Sequence, residues 1–275
     1  MESLLSKAFD ELSSYDPSTI RHALRNIECL LANICKKSLG KRLSTSNSQE
    51  ALEDLARHST IYHEFCALQD NFEWNIALRV VLCLDKLLGK QTNDLSERLT
   101  LSALDVLQGV LLLHPNSRKI FAREINMTLL LDLLDIQSTP LIQESAVNTL
   151  VCALVQEWRN VRAFEGLDGL ATICTLFKRK DTDKEVKLKI LEFLFFYLTP
   201  EPTLDVNQQS SITTAVDGSM NSTDCEKQRS AKSEVCTVKI RTSKEKQKLL
   251  AKYLNNVDSL VHELRQSQPF GNLMI

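Results

Sequence analysis

Glycine and proline are scarce in this sequence, with seven Gly and six Pro among 275 residues. So few turn-forming residues argue against a fold of many short strands joined by tight turns. Leucine is abundant instead, and leucine favours helices. We therefore predict an all-α fold built from long helices.

Signals for membrane insertion, export or nucleic-acid binding are also missing. No apolar run approaches the ~20 residues of a membrane span, and no signal-peptide core follows the acidic N-terminal residues. The 33 basic and 35 acidic residues leave a net charge of −2, and aromatic residues make up only 6%, which argues against nucleic-acid binding. The sequence predicts a cytoplasmic protein without direct membrane insertion.

Motifs for catalysis and metal binding are absent as well. The eight cysteines include no C-x-x-C pair, so we predict no zinc site and expect reduced, mostly buried thiols. No arginine stands six positions after any cysteine, a spacing that a cysteine-dependent phosphatase needs to bring its thiolate and phosphate clamp together. Phosphate-binding, dinucleotide-binding, zinc-helix and nucleophile-elbow strings do not occur. We expect a non-enzymatic protein with no catalytic residue, metal or cofactor.

Apolar residues recur at helical spacing through most of the first 200 positions. Asp16 and Pro17 give a helix-start signal, and Gly89, His114-Pro115 and Thr139-Pro140 separate later segments. The pattern predicts a loop at 40–49 and helices at 2–13, 18–36, 50–68, 73–89, 94–113, 127–136, 141–157, 168–179 and 183–198.

Apolar positions repeat at an offset of 43 residues. The repeat fits poorly before residue 94. A period of ~40–47 residues is typical of armadillo and HEAT repeats, whose units stack because none can bury its apolar face alone. We predict an armadillo/HEAT-like helical repeat solenoid, and the matching sets are Leu104/Val147/Ile190, Leu107/Leu150/Phe193, Leu111/Leu154/Tyr197, Phe121/Phe164, Leu130/Ile173 and Leu133/Leu176.

Composition divides the chain into three parts. Residues 1–200 form the predicted repeat domain, and 201–242 are predicted to be a disordered linker because they are polar and partly basic. Residues 243–266 predict a C-terminal amphipathic helix that docks on the repeat domain. The basic residues between Lys227 and Lys252 fit either a solvated linker or a patch for acidic or phosphorylated segments.

The predicted helix 183–198 is apolar nearly all the way round. Leu188, Leu191 and Phe195 occupy repeat positions that hold polar or small residues one unit earlier. One interpretation is that the C-terminal helix caps this end, as terminal repeats require. The other is a partner-binding patch, since large exposed apolar areas mark interaction sites. Both hold if the helix and a partner share the surface.

Several long strings resemble the fungal cell division control protein fourteen family. These strings are Leu107–Arg118 followed by Phe121, Phe72–Asn75, Asn160–Glu165 and Lys189–Glu201. The resemblance implies a regulatory subunit that binds a sterile-twenty class protein kinase at the spindle pole body and promotes septum formation after mitosis. A phosphatase shares the family's name, but the missing Cys-to-Arg spacing excludes it here. We assign no catalytic role to any residue of these strings.

Our leading hypothesis is a non-catalytic scaffold that holds a kinase against Leu188, Leu191 and Phe195. The alternative is an armadillo-type peptide or cargo receptor that binds linear peptides at a stripe around Asp105 and Asn148. Self-association is a further expectation, because exposed apolar ends of repeat stacks pair with copies of themselves.

Overall fold

The computed structural model describes residues 1–39, 57, 59–89, 93–201, 240–259 and 261–262, and all regular structure in these residues is helical. Two 3-10 helices span Phe72–Trp74 and Pro115–Ala122. None of the described helices is both long and apolar enough to cross a membrane. The α-helices are α1 (Glu2–Leu12), α2 (Pro17–Leu39), α3 (Thr60–Asp70), α4 (Ile76–Leu88), α5 (Asp94–Leu113), α6 (Glu124–Asp132), α7 (Pro140–Leu154), α8 (Trp158–Gly166), α9 (Gly169–Lys178), α10 (Lys184–Leu198) and α11 (Ser243–Leu250).

Four helices pack side by side in chain order and form one layer. Helix α2 packs on α5, α5 on α7, and α7 on α10, while α11 packs against α10 at the end of the row. Helix α4 packs against α5, helices α6 and α8 pack against α7, and the second 3-10 helix contacts both α5 and α7. Successive segments therefore add to the stack in order, which places equivalent residues of α5, α7 and α10 next to one another.

The core consists of the residues that the 43-residue repeat singles out. The nine repeat positions on α5, α7 and α10 are each no more than 2% exposed, and Phe121, Phe164, Leu130 and Ile173 are fully buried. Full burial of such a side chain stabilises the fold by roughly 1.5–3 kcal/mol. The prediction that this repeat marks the buried face is confirmed.

Side-chain caps fix where several helices begin. Asn75 and Asn93 accept backbone N–H bonds from Leu78 at 3.0 Å and Ser96 at 2.7 Å. The start signal at Asp16 is confirmed, because its carboxylate accepts the Thr19 N–H at 2.9 Å. Hydrogen bonds from Ser18 and Thr19 lower the pKa of Asp16 to about 2. These caps satisfy N–H groups that a helix start leaves without partners.

Three stretches differ from the sequence prediction. The helix predicted at 141–157 ends at Leu154, because Gln156 has a left-handed backbone with φ 57° and a new helix, α8, follows. The segment Pro115–Ala122 is a 3-10 helix, whereas the sequence pattern indicates only a break at His114-Pro115. The helix predicted at 127–136 lies three to four residues too late, since α6 spans Glu124–Asp132.

The C-terminal prediction is partly wrong. The sequence predicts one helix over 243–266, but α11 ends at Leu250 and residues 251–253 form a turn. Leu250, Leu254, Val257 and Val261 are nevertheless buried, so the apolar residues beyond the turn also pack. The loop 40–49, residues 50–56, most of the linker (202–239), Cys225 and Cys236 lie outside the described residues. Of the described cysteines, Cys83 and Cys174 are buried while Cys29 is exposed.

Candidate partner-binding surface and C-terminal clasp

Three of the sequence-predicted site residues follow one another across neighbouring helices. Asp105 on α5, Asn148 on α7 and Leu191 on α10 each stand one position after a buried core residue of the repeat. Asp105 is exposed, whereas Asn148 and Leu191 are half-buried. Because α5, α7 and α10 pack in order, these three residues form one stripe. We call this stripe, with Leu188 and Phe195 of α10 added, the repeat face.

The α10 end of the repeat face is apolar and partly open to solvent. Leu188 is 53% exposed, and Leu191 and Phe195 are half-buried. Helix α11 packs on α10, as a capping helix would, yet it leaves Leu188 accessible. An apolar side chain held open on a rigid helix is a feature of protein-binding surfaces.

The opposite end of the repeat face is acidic. Partial removal of its carboxyl from water raises the pKa of Asp105, and the negative charge of Glu28 on α2 raises it further. Gly109, one turn along α5, allows α2 to come close, since a Cβ at this position would lie 3.2 Å from the Leu31 side chain. The face therefore changes from carboxylates at α2 and α5 to apolar groups at α10.

A largely buried ionic cluster joins α11 to the end of the stack, and we call it the C-terminal clasp: Arg162, Glu165, Glu201, Arg241 and Lys246. The Glu201 carboxylate is fully buried and accepts bonds from the Arg162 guanidinium and, at 2.8 Å, from the backbone N–H of Arg241. The Lys246 ammonium lies 3.2 Å from the same carboxylate and donates to the Thr199 carbonyl at 2.9 Å.

Glu165 forms the second half of the C-terminal clasp. Its carboxylate accepts the Tyr197 hydroxyl at 2.7 Å and lies 3.2 Å from the Arg241 guanidinium. Burial raises the pKa of Tyr197, and the hydrogen bond to Glu165 adds to the effect. Burial lowers the pKa of Lys246, while Glu201 opposes that shift. The cluster thus joins α8, the segment after α10 and α11 by pairing three cations with two carboxylates, and the Tyr197 hydroxyl ties it to α10.

Sequence reasoning missed the C-terminal clasp because Glu201 and Arg241 fell at the two ends of the predicted linker. The sequence does carry one signal. Lys246 stands four residues before Leu250 on the apolar side of the amphipathic pattern, where a lysine requires a buried partner. Glu201 gives a similar signal, because this carboxylate stands only three residues after the end of the apolar helix at 183–198.

A Ser–His–Asp constellation also occurs, at the junction of α3 with the second 3-10 helix. His114 bonds Ser117 through Nδ1 at 2.9 Å and Asp70 through Nε2 at 3.1 Å. Ser117 is only 1% exposed and accepts a further bond from Asn75 Nδ2 at 3.1 Å. Since a substrate cannot reach this hydroxyl, the network serves to join helices rather than to supply a nucleophile.

Comparison with known proteins links the chain to one family. The family model described as cell division control protein 14, SIN component, matches residues 1–270. A relative from Schizosaccharomyces pombe, cell division control protein 14, is 30% identical over 282 aligned residues, which cover 99% of this chain and 98% of the relative. No solved structure matches the chain.

Proposed function

Because this chain belongs to the cell division control protein 14 family of septation initiation network components, we propose that it is a non-catalytic scaffold that promotes septum formation by binding a sterile-twenty class protein kinase. The scaffold would act in the cytoplasm and at the spindle pole body. Its helical units would form an armadillo/HEAT-like stack. Activation of the kinase would follow from where it is held, not from chemistry.

The observation that supports this proposal is the open apolar end of the repeat face. Leu188 is 53% exposed on a helix whose other side is fully packed. Such a helix presents its apolar side chains in a fixed position, so a partner loses little entropy in binding them. The expected occupant is a folded kinase or its extension beyond the catalytic domain.

The proposal is tested with purified kinase and two variants of α10. Leu188→Asp changes an exposed residue, and Leu191→Asp with Phe195→Asp removes the rest of the patch. Loss of one buried leucine contact costs about 1.5–3 kcal/mol, which corresponds to roughly 10- to 150-fold weaker binding. The matched control is Leu82→Asp, since Leu82 on α4 is similarly exposed at 48%.

Circular dichroism must show the same helical content for all variants. If both α10 variants bind the kinase as tightly as the wild type does, this surface is not the binding site. Affinity purification of the tagged chain from dividing cells addresses the partner itself. Recovery of a stoichiometric kinase supports the scaffold, whereas recovery of the chain alone favours self-association.

The acidic end of the repeat face favours a second function, a peptide or cargo receptor. The carboxylates of Asp105 and Glu28 lie close enough for one to raise the pKa of the other, and a basic peptide would relieve this repulsion. A peptide array probed with the wild type and with Asp105→Asn plus Asn148→Ala tests it. A receptor would bind basic peptides and lose them in the variant, and an array without any binder argues against a receptor.

A further inference from the structure

A cavity of about 260 Å³ is separate from the repeat face, since none of its lining residues stands on α5, α7 or α10. It opens between the first 3-10 helix, the start of α4, and the second 3-10 helix where it leads into α6. Apolar walls come from Phe72, Leu78 and Ile120, and charged groups at its rim come from Asp70, Lys119 and Arg123. The function proposed above makes no use of this cavity.

The apolar wall is unusually open. Phe72 is 70% exposed although it lines the cavity, and Ile125, between the lining residues Arg123 and Asn126, is 77% exposed. Isolated exposed apolar side chains are ordinary on protein surfaces. Here an exposed aromatic residue lines the cavity itself, which is an arrangement found where a partner's side chain is taken up.

The charges that line the cavity sum to one positive, because Lys119 and Arg123 stand against the single carboxylate of Asp70, and neither forms an ion pair with it in the described part of the chain. Within the described part of the chain, the Arg123 side chain has no hydrogen-bond or ion-pair partner, and the Lys119 ammonium donates only to Asn116 at 3.1 Å. The Asp70 carboxylate already accepts bonds from His114 and Asn116 at 3.1 and 3.0 Å. Two cations therefore remain to pair with an incoming anionic group.

The walls are held in place before any ligand arrives. Asn126 donates to the Ile120 carbonyl at 2.8 Å, and Asn75 caps α4 just before Leu78. Asn75 also donates to the Gln69 carbonyl at 2.8 Å. Because these bonds fix both sides of the cavity, a ligand would lose little binding energy to rearrangement of the protein.

We propose that this cavity binds a short acidic segment of a partner protein, with one large apolar side chain inserted beside Phe72 and a following carboxylate paired with Lys119 and Arg123. The volume lies below the ~300–1,000 Å³ of small-molecule sites. It is ample for one side chain, since a cavity of about 150 Å³ holds a benzene ring. Arginine and carboxylate groups form strong paired hydrogen bonds, which would give the segment its direction.

The probe is a set of short fluorescent peptides that carry one Phe or Leu followed by Asp and Glu at nearby positions. Matched peptides carry Lys and Arg at the same positions. The full-length chain should bind the acidic set, more weakly as salt is raised. Phe72→Ala, and Lys119→Glu with Arg123→Glu, should each weaken binding at least about ten-fold. These residues are exposed, so circular dichroism should be unchanged.

Leu188→Asp is the control that separates this site from the repeat face, and it should leave peptide binding unchanged. Equal binding of acidic and basic peptides, or acidic peptides that bind the cavity variants normally, would overturn the proposal. So would loss of peptide binding in Leu188→Asp, because the peptides would then use α10. Sedimentation that shows self-association abolished by Phe72→Ala would assign the cavity to a second copy of the chain instead. None of these results depends on whether a kinase binds α10.

Discussion

Removing the negative charge of Glu201 should release the C-terminal segment from the stack. Glu201→Gln keeps the size of the side chain but leaves Lys246 and Arg162 without this counter-charge, although Arg162 retains Glu165 at 3.3 Å. The Glu201 side chain is fully buried and that of Lys246 is 3% exposed. Breaking such a buried pair by removing one partner costs about 3–5 kcal/mol.

The structure indicates where this free energy would appear. Helix α11 packs on the stack through α10, where Lys246 lies over the Tyr197 ring, whereas six of the nine repeat positions of the core lie on α5 and α7. Detachment of α11 would therefore relieve the unpaired charge before the whole chain unfolds. Detachment also exposes buried apolar side chains, chiefly Leu250 and Leu254. The loss in the free energy of global unfolding can therefore not exceed the free energy that it costs to detach α11 and expose these side chains.

Hydrogen exchange with mass spectrometry measures this directly. In Glu201→Gln, amides of 243–262 should exchange much faster while those of α5 and α7 keep their protection. The double variant Glu201→Gln with Lys246→Met should recover most of the lost protection, because no lysine is then left without its counter-charge. Unchanged exchange of α11 in the single variant, with a free energy of unfolding in urea that changes by less than about 0.5 kcal/mol, would refute the argument that the C-terminal clasp holds this segment.

Three further predictions concern packing and pH. Gly169→Ala should destabilise the fold by about 1–3 kcal/mol in urea denaturation, since its Cβ would lie 2.3 Å from the Phe164 ring. Gly109→Ala is the control and should cost less, because its Cβ would meet only the flexible end of the Leu31 side chain at 3.2 Å. Asn160→Leu should cost about 1–3 kcal/mol for each of the two buried carbonyls that lose its 2.7 Å bonds, and an unchanged urea midpoint would contradict this. Burial lowers the pKa of His114 although Asp70 opposes the shift, so the imidazole binds a proton more tightly in the unfolded chain than in the folded one. The contribution of His114 to stability should therefore be fully present above about pH 6.5. Below that pH the free energy of unfolding should fall, by at most about 1.4 kcal/mol per pH unit. His114→Asn should flatten that slope in thermal melts.

The stack itself could be predicted because the periodicity of the sequence reports burial directly. Leu107, Leu150 and Phe193 share one register, and all three are fully buried. Helix α5 has the bounds predicted from the sequence, where His114-Pro115 marks its end, and the structure adds that Asn93 caps its start. Periodicity and capping are local properties, so a single sequence is enough to recognise them.

The breaks in the helices could not be predicted, because they depend on tertiary contacts. Nothing local requires Gln156 to adopt a left-handed backbone, but doing so starts α8 in a position where Asn160 reaches the Arg118 and Ala153 carbonyls. The early end of α11 also depends on tertiary contacts. A continuous helix over 243–266 would satisfy the amphipathic pattern equally well, and the turn at 251–253 reflects how the segment packs.

The sequence strings by which the chain resembles its family consist mainly of residues that hold the fold together. Asn160–Glu165 and the end of Lys189–Glu201 supply Arg162, Glu165, Tyr197 and Glu201 to the C-terminal clasp and its surroundings. Residues that bind partners must instead be accessible, and the exposed Leu188 and Phe72 meet that condition. Phe72 lies within one of those strings and Leu188 lies just before another, so resemblance alone would not distinguish them from their buried neighbours. Exposure decides which residues of a family-like string can contact a partner, and exposure requires the fold.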